Sequence, residues 1–279
     1  MILRQPSDSA MVPAMGALTT TNVPLRTGGA IPQVGLGVWQ ASPEDCRTAV
    51  AAALRLGYRH IDTARIYGNE ADVGAAIRDS GIPREHVFIT TKLWNDDQGY
   101  DSALRAFDAS AKRLGVEYID LYLVHWPVPG KRLDSWRALE KLRADKRARA
   151  IGVSNFLVHH LEELFGAAHD KPSVNQIELT PFLQRRDTVA MCKREKIVVE
   201  AYSPLTRGKR LGHPVIAAIA EELGRSPAQV LLRWNVEHGN VVLPKSVRPE
   251  RIAENGALFD FQLSPEQLAR LYALEENLA

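Results

Sequence analysis

The chain has 279 residues, 45% hydrophobic and 24% charged, with a formal net charge of +2. This is the make-up of a globular protein long enough for two average domains or one α/β barrel. So small a charge speaks against a nucleic-acid partner or a strongly basic membrane surface, and no apolar run approaches the roughly 20 residues of a spanning helix.

Residues 1–20 have no clear period. Their apolar part, Met11 to Leu18, is short, is broken by Pro13 and Gly16, and has no basic cluster beside it. That argues against a secretory signal and for a flexible tail. Arg4, Ser7 and Ser9 would suit an organelle transit segment, but Asp8 would not. Next, short extended runs at 22–25 and 30–32 flank Thr27-Gly28-Gly29, which predicts a β-hairpin.

From Val34 onward, strands and helices alternate. Strands are predicted at 34–38, 59–62, 87–93, 119–124, 150–154, 173–178, 197–201 and 241–244. Helices are predicted at 43–56, 69–80, 101–114, 134–143, 158–165, 184–194, 214–223, 227–236, 248–253 and 265–274. Ser42, Ser226 and Ser264 each precede a Pro, the pattern of an N-cap followed by Pro at the first helical position. Asn69 is expected to open its helix. The strands are rich in Val, Ile and Leu, as expected where both faces are covered.

This alternation predicts an α/β fold, a (β/α)8 TIM barrel with an N-terminal β-hairpin. With no Pro/Gly/Ser-rich linker and no shift in composition, residues 21–279 read as a single domain. A two-domain doubly wound sheet would usually carry G-x-G-x-x-G after its first strand. Here Gly35 and Gly37 are followed by Gln40, so that pattern fails.

In a barrel, reactive residues sit at the C-terminal ends of strands. Those ends, in order, present Trp39; Asp62 and Tyr67; Lys92 and Trp94; His125 and Trp126; Ser154 and Asn155; Gln176; Tyr202 and Ser203; and Lys245. A tyrosine is a poor acid at neutral pH unless its anion is stabilised. A nearby lysine lowers its pKa, and an aspartate holds that lysine in place. A neutral histidine can donate to a carbonyl and orient it. Tyr67, Lys92, Asp62 and His125 therefore suit proton delivery to an oxyanion forming from a carbonyl, a reaction that needs a hydride from a cofactor.

At these residues the chain resembles the aldo-keto reductase superfamily, over about 22–274. The resemblance rests on Gly57-Tyr58-Arg59-His60-Ile61-Asp62-Thr63-Ala64, Tyr67-x-Asn69-Glu70 and Thr91-Lys92-Leu93-Trp94. It continues through Asp120-Leu121-Tyr122-Leu123-Val124-His125-Trp126-Pro127, Ile151-Gly152-Val153-Ser154-Asn155-Phe156 and Val174-Asn175-Gln176. It closes on Tyr202-Ser203-Pro204-Leu205, Leu243-Pro244-Lys245-Ser246 and Arg251-x-x-Glu254-Asn255. Within the superfamily it looks closest to the 2,5-diketo-D-gluconate reductases and the parasite prostaglandin F synthases. The latter share Gly37-Val38-Trp39-Gln40, Gln98-Gly99-Tyr100 and Asp134-Ser135-Trp136-Arg137-Ala138.

The resemblance implies NADPH-dependent reduction of an aldehyde or ketone to an alcohol, with Tyr67 as proton donor. Lys92 and Asp62 would tune it, and His125 would orient the carbonyl. Ser154, Asn155 and Gln176 would bond the nicotinamide carboxamide and Tyr202 would stack on its ring. Ser203 and Leu205 would line the pyrophosphate, Lys245, Ser246 and Arg251 would hold the 2′-phosphate, and Glu254 and Asn255 would reach the adenine. Trp39, Trp94 and Trp126 would wall the substrate pocket. The substrate implied is a small carbonyl such as 2,5-diketo-D-gluconate or methylglyoxal, or alternatively prostaglandin H2. Another alternative is a redox-sensing barrel subunit with little turnover, as in potassium-channel β subunits. No nucleic acid, membrane or obligate protein partner is implied. The chain stops soon after its last helix, where relatives usually continue over the barrel mouth, and Gly256 stands where close relatives often have a larger residue.

Other features read as structural. Cys46 and Cys192 read as free thiols of a reducing, cytoplasmic compartment. His159 and His160 would face different sides of a helix and bind no metal. Lys146, Arg147 and Arg149 read as a solvated helix exit. Arg207, Lys209 and Arg210 lie in a loop that either folds over the pyrophosphate or is simply solvated.

Overall fold

The computed structural model describes residues 21–276; the expected tail at 1–20 lies outside them. Strands β1 (Asn22–Pro24) and β2 (Ala30–Pro32) pair antiparallel, with Val23 opposite Ile31. Their turn is longer than a two-residue hairpin and is closed by Leu25 N–H on Gly29 O at 3.1 Å. Gly28 and Gly29 sit at φ of +90° and +74°, a region that favours glycine.

Eight parallel strands follow: β3 (Leu36–Gly37), β4 (His60–Asp62), β5 (Phe88–Leu93), β6 (Ile119–Val124), β7 (Ala148–Ser154), β8 (Val174–Glu178), β9 (Val198–Tyr202) and β10 (Val241–Leu243). They are hydrogen-bonded in sequence order. Parallel bridges Val34↔Val242 and Gly37↔Lys245 close β10 onto the start, making the expected (β/α)8 barrel.

The helices α1 (Pro43–Arg55), α2 (Glu70–Asp79), α3 (Tyr100–Leu114), α4 (Arg132–Ala144), α5 (Val158–Ala167) and α6 (Arg186–Arg194) cover the outside. The helices α7 (Pro214–Leu223) and α8 (Pro227–Glu237) both lie between β9 and β10, and α9 (Pro249–Gly256) and α10 (Pro265–Tyr272) complete the ring. Ser42, Ser226 and Ser264 cap α1, α8 and α10 as their sequences predict, each accepting a backbone N–H at 3.2 Å. Such caps contribute about 1 kcal/mol apiece. Among the described residues no helix is long and apolar enough to cross a membrane.

Side chains alternate in and out along each strand. The outward set, including Ile61, Ile89, Tyr122, Ile177 and Ala201, joins the large apolar core against the helices. The inward set divides by height. At the N-terminal end, Leu121, Leu123, Ala150, Val174 and Val241 pack with Leu25 and Ile31 of the hairpin, which plugs the barrel. Above them the interior turns polar.

Packing corrects or refines four sequence readings. Asn69 does stand before α2, but its side chain caps nothing there. Arg149 lies within β7, not at a helix exit; it pairs with Asp120 at 3.3 Å and stacks over Tyr118. Arg147 pairs with Asp108. The His159 and His160 rings lie 3.8 Å apart rather than on different sides, because His160 turns back to accept the Leu157 N–H. The loop cations also part ways: Arg207 lies over the Trp39 ring, while Arg210 pairs with Glu276.

Candidate active site

The polar upper barrel is built from strand ends. Asp62 is the last residue of β4. Beyond Thr63 and Ala64 the chain makes one 3-10 turn, Arg65–Tyr67, ended by Gly68. Asn69 fixes this excursion. Its Oδ1 accepts the Thr63 hydroxyl at 2.8 Å and its Nδ2 donates to Val38 O at 2.9 Å. The segment carrying Tyr67 is thus tied to the end of the neighbouring strand.

Lys92, one register step inside β5, is fully buried. Its Nζ donates to both Asp62 oxygens at 2.7 and 2.9 Å and to Thr63 O at 2.9 Å. It reaches the Tyr67 hydroxyl at 3.4 Å. Burial lifts the Asp62 carboxyl above the usual carboxylate range, with Lys92 opposing. Burial alone would pull the Lys92 ammonium down, but Asp62 and its neighbours raise it. The pair is therefore a bonded buried ion pair.

The net effect on Tyr67 differs from the simple expectation. Lys92 does lower its pKa, but burial outweighs Lys92, and the hydroxyl stands above the ordinary tyrosine value. Tyr67 is stored as the neutral phenol, with a cation in place to stabilise its anion.

His125 follows β6 and is 8% exposed. Its ring meets Tyr67 edge-on at 6.0 Å and Trp94 at 5.2 Å between centroids. Burial, helped by Lys92, pushes it down to about 3, so it is neutral at physiological pH. Asp62, Tyr67, Lys92, His125 and Trp94 thus converge. Trp39 and Trp126 stand on the rim at 40% and 42% exposure. Gln98 donates to Trp126 O at 2.7 Å and fixes that loop.

A second group runs across β7, β8 and β9. The Tyr202 hydroxyl donates to Asn155 Oδ1 at 2.9 Å, and Asn155 Nδ2 donates to His125 O at 3.0 Å and Ser154 Oγ at 3.1 Å. Ser154 Oγ donates to Gln176 O at 2.9 Å. Asn155 and Ser203 hold positive φ, 63° and 47°. Gln176 Nε2 donates to Asp62 Oδ2 at 2.9 Å, joining this arc to the ion pair.

The remaining predicted residues lie at the β10 exit. Lys245 and Arg251 are exposed and, with Arg248, take part in no ion pair among the described residues. Ser246 Oγ accepts the Arg248 N–H at 3.1 Å. The first turn of α9 has no side-chain cap. Three cations around open helix amides, opposed nearby by Glu250, suit a phosphate dianion. Asn255 is buried, Glu254 is half-buried in the same helix, and Leu205 packs on the apolar core. Among the described residues no cluster of His, Cys, Asp or Glu suits a metal. An open cleft of about 940 Å³ lies at the opposite end, lined by Arg59, Asp120 and Arg149, away from these side chains.

Sequence reasoning missed Arg248, Gln98, Thr63, His60 and Glu200 as parts of this site. Glu200 had a visible signal: one acid in Val198-Val199-Glu200-Ala201-Tyr202, at the same inward parity as Tyr202.

The aldo/keto reductase family model matches residues 31–276. An aldo-keto reductase of Mycolicibacterium smegmatis is 54% identical over 91% of this chain and 93% of its own length. The 9,11-endoperoxide prostaglandin H2 reductase of Trypanosoma cruzi is 49% identical over 91% and 92%. The glyoxal reductase of Bacillus subtilis is 49% identical over 91% and 93%. Among solved structures, an aldo/keto reductase from Brucella melitensis superposes with a TM-score of 0.89 at 49% identity, covering 92% of this chain and all of that one. A Bombyx mori aldo-keto reductase in complex with NADP gives 0.89 at 36% identity, covering 94% of each. The chain belongs to the aldo/keto reductase family.

Proposed function

We propose that this aldo/keto reductase, an NADP(H)-dependent oxidoreductase, reduces a small aldehyde or ketone to an alcohol with Tyr67 as the proton donor. The observation that carries the reading is the Tyr67 hydroxyl 3.4 Å from Lys92 Nζ, itself seated on Asp62. When bound, NADPH supplies the hydride.

The chain's own residues do the rest. His125, neutral, directs a ring N–H to the carbonyl oxygen and places it beside the Tyr67 hydroxyl. As charge grows on that oxygen, Tyr67 yields its proton, and Lys92 stabilises the phenolate left behind. Asp62 keeps Lys92 charged within the barrel. Ser154, Asn155 and Gln176 hold the carboxamide, and Tyr202 presents its ring to the nicotinamide. Ser203 and Leu205 border the pyrophosphate. Lys245, Ser246 and Arg251, joined by Arg248, take the 2′-phosphate, while Glu254 and Asn255 lie toward the adenine. Trp39, Trp94 and Trp126 line the approach. Residues 21–279 act as one catalytic domain, and the two buried free thiols fit a cytoplasmic setting.

For the substrate, the relatives named for glyoxal and prostaglandin H2 reduction support small dicarbonyls first and prostaglandin H2 second, with 2,5-diketo-D-gluconate a further candidate. NADPH oxidation across a panel of aldehydes and diketones should be rapid in the wild type and fall about 10²-fold or more in Tyr67→Phe. Tight NADPH binding without turnover on any carbonyl would instead favour a redox-sensing role.

A further inference from the structure

We propose that Glu200 is a positioning residue of this site, carrying a proton inside the barrel behind Gln176 and Asp62, and that its neutral form keeps Tyr67 an effective acid. The inference rests on the reading of Tyr67 as proton donor.

Glu200 points inward from β9 and has no exposed surface. It lies in register with Gln176 on β8. Its Oε2 accepts Gln176 Nε2 at 2.6 Å, and the same nitrogen donates to Asp62 Oδ2. Two carboxyl groups from different strands therefore share one amide. Its other oxygen, Oε1, has no hydrogen-bond partner and stands 3.5 Å from His60 Nε2 across the barrel.

The charges facing Glu200 decide its state. From β4 come His60 and Asp62, from β5 Thr90 and Lys92, from β8 the uncharged Gln176, and Tyr67 lies beyond Lys92. Lys92 is the one cation in this set, and Asp62 already neutralises it. Burial pushes His60 down to about 3, so it brings no charge. An ionised Glu200 would leave a net negative charge on fully buried groups, which is costly. The group keeps its proton instead; burial and then Asp62 push it up to about 8. The proton belongs on Oε1, because Oε2 is taken by the amide; Oε1 lies beside His60 Nε2, which also meets Thr90 Oγ1 at 3.0 Å.

Ionisation would act on the reaction through its neighbours. A second anion raises Lys92 and Tyr67 together, so Tyr67 gives up its proton less readily. It also competes with Asp62 for the Gln176 amide. Burial holds Tyr67 itself above the ordinary tyrosine value.

Glu200→Gln imitates the protonated acid, with an oxygen for Gln176 and an amide for His60. In single-turnover NADPH oxidation with saturating carbonyl, the wild-type rate at about pH 9 should fall up to about tenfold below its rate at about pH 7, as about nine-tenths of Glu200 ionises. In Glu200→Gln that ratio should stay near one. An identical fall in both proteins overturns the proposal. The apoprotein supplies a separate readout: an infrared band of a protonated carboxyl in the wild type at neutral pH, fading as pH rises through about 8 and missing in the variant. Lack of that band in the wild type overturns the proposal even if the variant fails to fold. If Tyr67→Phe retains full turnover, the proton-donor reading fails. If Tyr67→Phe is inactive while Glu200→Gln keeps the wild-type profile, only the role of Glu200 fails.

Discussion

Replacing Lys92 with methionine keeps the volume of the side chain and removes its charge. In the native site Lys92 Nζ lies 3.4 Å from the Tyr67 hydroxyl and 2.7 Å from Asp62. At an effective dielectric of about 20, a unit cation at that first distance stabilises the phenolate by about 5 kcal/mol. Asp62 opposes it. If the three groups lie roughly in line, its charge is about 6 Å from the phenolate and costs about 3 kcal/mol. The outcome depends on what Asp62 does once Lys92 is gone. If it takes a proton, both charges vanish and the loss is about 2 kcal/mol, or roughly 30-fold in rate. If it stays ionised, the full 5 kcal/mol is lost, several thousand-fold. Burial already lifts Asp62, so the lower figure should hold at acidic pH and the deficit should deepen as pH rises. Stability should fall by about 3–5 kcal/mol from the orphaned carboxylate. Adding Asp62→Asn should restore most of that stability without restoring activity. The assay is single-turnover NADPH oxidation from about pH 5 to 9, with urea unfolding beside it. A Lys92→Met rate within about threefold of wild type across that range would refute the electrostatic argument.

Lys245→Ala and Arg251→Ala should each weaken NADPH binding about 10- to 100-fold, the worth of a charge-assisted hydrogen bond, and leave NADH binding nearly unchanged; equal losses for both cofactors in fluorescence titration would remove the phosphate assignment. His125, held at about 3, should produce no break in kcat near pH 6.5. Because its folded pKa is depressed, the unfolded chain binds the extra proton on acidification, so its share of stability should disappear as pH falls from about 6.5 toward 3; thermal melts that do not shift down over that range would contradict a neutral buried His125. Gly74→Ala should destabilise by about 3 kcal/mol or more, since a Cβ there would lie 2.1 Å from the Leu114 carbonyl oxygen where α2 crosses the end of α3. A urea midpoint equal to wild type would mean that α2 and α3 are not so closely apposed.

Much of this protein was legible along the chain. The eight strands and their order followed from alternating apolar runs and capped helices, because both signals are local. Asp62, Tyr67, Lys92 and His125 could be picked out because a parallel barrel delivers the C-terminal ends of its strands to one face. What required the folded chain was everything that depends on partners across the barrel. Asn69 looked like a cap and proved to be a tie between Thr63 and Val38. Arg149 looked like part of a helix exit and lies in a strand, exposed but paired with Asp120. Glu200 drew no notice, since its meaning lies in His60, Gln176 and Asp62, residues 24 to 140 positions away. The sign of the Tyr67 shift is of the same kind. Sequence placed a cation beside the hydroxyl, but only the packed structure reveals that burial outweighs it. Residue identity and period determine which side chains reach the mouth of the barrel. How each is charged there depends on the water excluded around it, and that is decided by tertiary packing alone.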